Sequence, residues 1–213
     1  MKILAVCGSY RKQGVISVLM DKAIEGIREA SPGASVEKVC LIEKKIEYCR
    51  GCMACFPDDP AKRIAACVIK DDMQELCGKL DEADGYIFGT PIFCGTLNAL
   101  MKTFCERFAY VLGRPGRWPV AGCPEPRNPR RKAAILIMST AVVPGFLRYF
   151  CDDATKFFRE TLPCVLNAKI AGSLYAGRGR QGGGAIRPEP FFPAARALGA
   201  KLARAVARLE RKR

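Results

Sequence analysis

The sequence predicts an α/β domain in which a five-stranded parallel sheet is doubly wound, with helices on both faces. Three observations point there. Short continuous apolar runs such as Lys2–Cys7 (KILAVC) and Ala133–Ser139 (AAILIMS) suit strands buried on both sides. Between such runs lie longer segments with apolar residues at helical spacing. The two kinds alternate along the chain, and alternation of this sort means parallel strands joined by crossover helices. The 213 residues are read as one domain, 1–213, with a cysteine-rich insert at about 46–68 after the second strand.

Each element follows in order. Lys2–Cys7 is the first strand, and Gly8–Gly14 a polar loop bounded by glycines. Val15–Glu29 is a helix, because Ile16, Leu19, Met20, Ala23, Ile24 and Ile27 form one stripe. Ser31-Pro32-Gly33 stops it, and Ser35–Leu41 is the second strand. After the cysteine segment, Asp71–Leu80 is a helix, with Asp71 or Asp72 as its N-cap. Gly85–Gly89 is the third strand. Thr96–Leu112 is a helix that turns Leu97, Leu100, Met101, Phe104, Cys105 and Phe108 inward. Gly113–Arg131, rich in proline and arginine, is a long functional loop. Ala133–Ser139 is the fourth strand, Phe146–Thr161 a helix and Cys164–Tyr175 the fifth strand. Gly177–Gly184 is a flexible basic loop. Glu189–Arg211 is the closing helix, with Pro193 near its start.

Composition removes several function classes. The chain has no histidine, which excludes Ser-His and Cys-His catalysis, histidine metal sites and histidine proton shuttles. Chemistry must then come from a cofactor, thiols, carboxylates or lysines. No apolar run approaches the length of a membrane span, and Met1-Lys2 leads straight into a strand instead of a signal peptide. A cytoplasmic protein without a membrane partner is expected. In that compartment the 12 cysteines do not imply disulfides, and Cys7, Cys40, Cys77 and Cys105 read as small hydrophobes. The net charge of +14 gathers at Arg114–Lys132 and Arg204–Arg213. Basic and aromatic residues do not interleave and no nucleic-acid motif is present. The charge therefore reads as a solvated surface that attracts anionic cofactors or acidic proteins, not nucleic acid.

The strongest single motif is Cys49-Arg50-Gly51-Cys52-Met53-Ala54-Cys55, with Cys67 following after a gap of eleven residues. A [4Fe-4S] cluster takes three thiolates from one tight loop and a fourth from elsewhere. Zinc prefers paired C-x-x-C knuckles far apart, and two overlapping units would crowd one tetrahedral ion. The long gap to Cys67 is closable, since loop closure costs only about 0.6 kcal/mol per doubling of length. The competing reading is a thiol-rich loop without metal.

Three loops follow strands one, three and four, where ligands sit in a doubly wound sheet. In Gly8–Ser17, the hydroxyls of Ser9 and Ser17, the Arg11 guanidinium and the amides at a helix N-terminus suit a phosphate. Neither G-x-G-x-x-G nor G-K-[ST] occurs in it, so it is not a dinucleotide or Walker loop. An ordinary polar turn is the alternative. Gly89–Thr96 is stiffened by Pro91, carries Phe93 and offers amides to the edge and face of a flat ring, or else simply turns into the next helix. Ser139–Gly145, through Thr140, could supply the other wall.

With these loops and the cysteine segment in place, the chain resembles the flavodoxin-like NAD(P)H-dependent FMN reductases, and within them the iron–sulfur flavoproteins. The matching residues are Gly8-Ser9-x-Arg11-x-x-Gly14, Cys49-x-x-Cys52-x-x-Cys55, Cys67-Val68-Ile69-Lys70-Asp71-Asp72-Met73, Gly89-Thr90-Pro91-Ile92-Phe93 and Lys102-x-x-x-x-Arg107. The resemblance covers about Met1–Arg107, and the rest follows by architecture. It implies a flavodoxin-like sheet of order 2-1-3-4-5. It implies that Ser9, Arg11, Gln13, Gly14, Val15, Ile16 and Ser17 hold the FMN phosphate. Thr90, Pro91, Ile92, Phe93, Cys94 and Gly95 would contact the isoalloxazine. Cys49, Cys52, Cys55 and Cys67 would ligate the cluster.

The implied activity is an FMN-dependent oxidoreductase that takes hydride from NAD(P)H and passes electrons to a quinone, a flavin, a metal or a small organic acceptor. The cluster would serve as relay, and the assembly would be a homodimer or homotetramer. An alternative within the resemblance is an electron carrier that exchanges electrons with an acidic ferredoxin-like protein, which the positive charge favours. Arg114, Arg117 and Arg127–Lys132 could meet a nicotinamide phosphate, or form an ordinary basic surface. Two departures matter. Val15 and Ile16 stand where the family carries polar residues, which leaves Ser17 and the backbone to hold phosphate. The Cys55–Cys67 gap is longer than the family's usual spacing. A basic module using the fold without FMN is the third reading.

Overall fold

The computed structural model describes residues 1–57, 59–116, 123–141, 143–177 and 186–212. The expected glycine-rich loop after Gly177, and the expected role of Arg117, fall outside those residues.

Five parallel strands form the sheet: β1 (Lys2–Cys7), β2 (Ser35–Cys40), β3 (Gly85–Phe93), β4 (Lys132–Thr140) and β5 (Ala168–Gly177). Their order is β2-β1-β3-β4-β5, as the resemblance implied. The register places Ile3 opposite Val36 on one side and Gly85 on the other, and Gly85 opposite Ala133. The helices are α1 (Val15–Ala30), α2 (Met73–Glu82), α3 (Ala99–Leu112), α4 (Asp153–Leu166) and α5 (Phe192–Glu210).

Side-chain alternation along each strand divides the core in two. Tyr86 and Phe88 of β3, with Ala134, Leu136 and Met138 of β4, pack against α2, α3 and α4. Ile87, with Ala133, Ile135 and Ile137, packs against α1 and α5 on the other face. The continuous apolar runs read from the sequence are needed because both faces are covered. On the second face, α1 and α5 cross closely at two glycines. A Cβ on Gly26 would strike the Arg196 carbonyl, and one on Gly199 the Ala23 carbonyl. Burial pushes the Cys7 thiol up to about 11 and Cys77 up to about 12, as expected for cysteines used as small apolar groups.

The boundaries differ from expectation in several places: β3 runs on from Gly89 to Phe93, and α5 begins at Phe192 after a 3-10 turn at Glu189–Phe191. Thr96–Leu97 is not helical but a short strand antiparallel to the end of β3. The helix waits for Asn98, whose carboxamide oxygen accepts from the Met101 N–H at 3.0 Å. The expected helix at Phe146–Thr161 splits into a 3-10 segment, Gly145–Phe150, and α4, because Asp152 caps a new start by accepting from the Thr155 N–H at 2.9 Å. That helix carries Pro163 and runs on to Leu166. Asn167, at φ 51°, ends it in a left-handed C-cap, so the fifth strand begins at Ala168 instead of Cys164. At α2, Asp72 stands at the N-cap position, yet its carboxylate accepts from the Lys45 N–H at 2.8 Å while Asp71 serves the Met73 N–H at 3.0 Å.

Cys123 and Cys164 correct the expectation that no cysteine would be bridged. They form a disulfide, with Cα atoms 5.8 Å apart, tying the basic loop to α4. No helix among the described residues is long and apolar enough to cross a membrane.

Candidate cofactor site

The carboxyl ends of β1, β3 and β4 converge on a cavity of about 270 Å³. The loop after β1 contributes Ser9, Tyr10, Arg11, Gly14, Val15 and Ile16. The end of β3 contributes Pro91, Ile92 and Phe93, and the end of β4 Ser139, Thr140 and Ala141. Ile186 closes the lining.

The first loop is built to hold an anion. Ser9, almost fully buried, folds the loop on itself: its Oγ accepts from the Arg11 N–H at 3.1 Å. Gly14, the N-cap of α1, offers no side-chain cap, so the first-turn N–H groups have no intrahelical partner and point outward. The turn is tight, and a Cβ on Gly14 would come within 3.0 Å of Arg11 Cβ. Orphan amides at a positive helix end, with Arg11 beside them, fit a phosphate. Tyr10 and Phe93 stack with ring centroids 6.1 Å apart and planes 19° from parallel. Both are about half exposed, at 45% and 50%. This aromatic pair beside the rigid Pro91 segment suits the face of a flat ring, and the anion-holding loop and aromatic wall together have the chemistry that FMN needs.

Several expected residues stand elsewhere. The Ser17 hydroxyl accepts from Lys38 Nζ at 2.8 Å and faces β2. Gln13, Cys94 and Gly95 do not line the cavity, although Cys94 and Gly95 turn the loop with φ of 49° and 80°. Thr90 is fully buried behind the wall. Its hydroxyl donates to the Pro91 carbonyl at 3.2 Å and reaches Asn98 Oδ1 at 3.4 Å. Asn98 in turn donates from Nδ2 to the Gly8 carbonyl at 2.5 Å. One buried carboxamide thus joins the β1 loop, the β3 loop and α3. Tyr10, Asn98 and Ile186 were not singled out in the sequence. An N-cap residue ahead of an apolar helix was the only signal for Asn98, and the expected start at Thr96 hid it.

The cysteine segment lies outside the sheet and is held by side chains. Asp71 and Arg107 form a buried pair, their side chains 0% and 1% exposed. Arg107 Nη1 donates to Asp71 Oδ2 at 2.5 Å and to the Glu47 carbonyl at 2.6 Å, and Nη2 to Asp71 Oδ1 at 3.0 Å. Nη2 also lies 3.7 Å from Cys67 Sγ. Asp71 accepts the Glu47 N–H at 2.9 Å as well. Burial alone would raise the Asp71 carboxyl, but the bonds from Arg107 and from the Glu47 and Met73 amides hold it below the ordinary range. This knot fastens both ends of the excursion. Its middle is fastened by Arg127, which donates to the carbonyls of Cys55 at 3.4 Å and Pro57 at 3.3 Å, and by a tilted ring contact of Phe56 with Tyr110. Arg127 was expected on a basic surface; instead it is buried.

Gly51 and Met53 take left-handed φ of 61° and 60°, which coils the chain between Cys49 and Cys55. Cys49 and Cys52 are exposed, Cys55 and Cys67 half-buried. Burial raises the Cys55 thiol, and the nearby thiols of Cys67, Cys49 and Cys52 add to the effect, so the four share one electrostatic neighbourhood. Among the described residues, no three Cys, Asp or Glu side chains converge as a ready-made metal site. The donor set is nevertheless of the right chemistry for an iron–sulfur cluster: four thiols on one coiled, anchored loop.

A family profile described as NADPH-dependent FMN reductase matches residues 1–149. An iron–sulfur flavoprotein of Archaeoglobus fulgidus is 38% identical over 54% of this chain and 49% of its own length. One from Clostridioides difficile is 27% identical over 80% of this chain and 75% of its own. The chain thus spans about half the length of the first of these relatives. Among solved structures, an azoreductase from Bacillus anthracis superposes with a TM-score of 0.67 over 96% of this chain and 99% of its own, at 18% identity, a likeness of fold.

Proposed function

Because the chain belongs to the NADPH-dependent FMN reductase family, in its iron–sulfur flavoprotein branch, we propose that it is an FMN-dependent oxidoreductase. It takes hydride from NAD(P)H and passes electrons to a quinone, a flavin, a metal ion or a small organic acceptor. The carrying observation is the single cavity that gathers orphan helix amides, Arg11 and a stacked aromatic pair at three strand ends. Bound FMN supplies the hydride and one-electron chemistry.

The chain's own residues bind and orient. Arg11 and the amides after Gly14 hold the phosphate, and the backbone takes over the contacts that Val15 and Ile16 cannot make. Pro91, Ile92 and Phe93 fix one side of the ring, with Tyr10 against Phe93. Ser139 and Thr140 form the opposite wall. The protein has no histidine, and the work of these residues is positioning and exclusion of water. Cys49, Cys52, Cys55 and Cys67 would hold a [4Fe-4S] cluster, which supplies a path for single electrons. The protein works in the cytoplasm as a homo-oligomer. A second reading, exchange of electrons with an acidic ferredoxin-like protein without NAD(P)H oxidation, is favoured by the net charge of +14.

An anaerobic visible spectrum of the purified protein, with iron and acid-labile sulfide assayed on the same sample, tests both parts. Flavin bands that bleach on addition of NADPH or NADH, with about four iron per chain, are the expected result. Flavin bands that nicotinamides leave unchanged would replace the reductase reading by the electron-carrier one. A colourless protein that stays colourless with added FMN would overturn both.

A further inference from the structure

β5 is an outer strand of the sheet, and among the described residues nothing pairs with its free edge. An open edge presents a row of unused N–H and C=O groups, which proteins normally cover or guard. Here it is lined with charge of one sign. Two adjoining hollows, about 780 and 570 Å³, run beside the first half of β5 and share Lys169, Ile170 and Ala171. Both are larger than the cofactor cavity. Ile170 and Leu209 give them an apolar floor, while Arg159 of α4 and Lys201, Arg204 and Arg208 of α5 stand around it with Lys169. No aspartate or glutamate lines either hollow.

The acids elsewhere on α1 and α5 are in use. Glu25 and Glu29 pair with Arg196, and Glu210 with the N-terminal ammonium. Among the described residues, Arg159, Lys169, Lys201, Arg204 and Arg208 make no ion pair. Five such charges around two adjoining hollows repel one another, and an incoming anion that runs along both is attracted to all of them. The edge also carries a bulge, since the pairing with β4 jumps from Ile170 to Gly172. Bulges and lysines on an edge discourage pairing between like copies.

We propose that this edge docks an extended, acidic segment of a partner protein, which adds as a strand beside β5. Main-chain bonds to β5 give affinity, carboxylates on the segment meet the five cations, and its alternate apolar residues sit on Ile170 and Leu209. A nucleic acid is the poorer match, because no aromatic side chain lines the hollows to stack a base. The hollows lie at the start of β5, whereas the cofactor cavity lies at the carboxyl ends of β1, β3 and β4. The segment therefore tethers the protein to its partner, and the inference stands independently of the cofactor.

The test is fluorescence anisotropy on the full chain with labelled peptides. One peptide alternates Glu and Val, one alternates Lys and Val, and one is the Glu–Val sequence N-methylated along one backbone edge. The variant carries Lys169→Glu, Arg204→Glu and Arg208→Glu, all at exposed positions. The Glu–Val peptide is expected to bind in low salt, weaken as salt screens the charges, and bind about tenfold more weakly to the variant or when N-methylated. The Lys–Val peptide is expected not to bind. No binding of the Glu–Val peptide, or equal binding by the variant or by the N-methylated peptide, overturns the proposal. So does tighter binding of duplex DNA than of peptide, which would assign the edge to nucleic acid. A dimer in sedimentation that the triple charge reversal dissociates would give the edge to a second copy and likewise overturn it.

Discussion

The cofactor cavity and the cysteine excursion lie on successive parts of one chain and are held by opposite means. The cavity is delivered by the sheet. Its walls are the ends of three hydrogen-bonded strands, and the Gly8 N–H still bonds the Gly89 carbonyl at 2.7 Å where β1 gives way to its loop. Among the described residues, the excursion has no regular element between Glu43 and Met73. Long-range side-chain bonds hold it: Arg107 and Asp71 at its ends, Arg127 at its middle. Backbone-built sites tolerate side-chain change, whereas a strap of a few buried ions depends on each of them.

That contrast can be broken most sharply at Arg107. Arg107→Met leaves the Asp71 carboxylate buried and unpaired, and a loss of about 3–5 kcal/mol is expected in urea unfolding. The double change Arg107→Met with Asp71→Leu should recover only part of it: the unpaired charge is gone, but the Glu47 and Met73 N–H groups and the Glu47 carbonyl lose their partners. A single-variant loss below about 1 kcal/mol would mean that the excursion does not depend on its strap.

Asn98 sits between the two regimes, a side chain that fastens backbone loops. Asn98→Ala removes bonds to Gly8, Met101 and Thr90. About 1–3 kcal/mol of stability should go, with weaker FMN binding measured by flavin fluorescence. If binding is unchanged, the two loops hold their places without it.

Within the cavity, Arg11→Ala should weaken FMN about tenfold, roughly 1.4 kcal/mol, while riboflavin binding stays the same. Equal losses for both ligands would remove Arg11 from the phosphate. Cys52 is exposed, so Cys52→Ser should move stability by no more than about 0.5 kcal/mol while iron content and broad absorbance near ~400 nm disappear. A mutant spectrum identical to the parent's would end the cluster reading.

Acid should separate the regions most gently. The folded Asp71 carboxyl is held below its ordinary value of 3.8. Its contribution to stability is complete above that value and is lost as pH falls through the lower folded one. Acid titration of Asp71→Asn should lack this part of the transition. An unchanged acid limb would show that the pair does not govern it.

The sequence by itself determined the sheet and the chemistry at hand. Continuous apolar runs require burial on both faces, and their alternation with helical stripes leaves few topologies open. The four cysteines and the loops after β1, β3 and β4 were legible because spacing and residue type carry the signal locally. The tertiary structure alone decided what those residues face. Ser17 turned to Lys38, Thr90 withdrew behind the wall, Arg127 left the expected surface to grip the cysteine loop, and Cys123 met Cys164. Helix ends moved with Asn98, Asp152 and Asn167, local caps that the apolar periodicity overran. The placements of Ser17, Arg127 and Cys123 rest on contacts between residues tens of positions apart, as does that of Arg107 with Glu47 and Asp71. Their partners are set by how the packed sheet and helices bring distant segments together, and no local pattern encodes that.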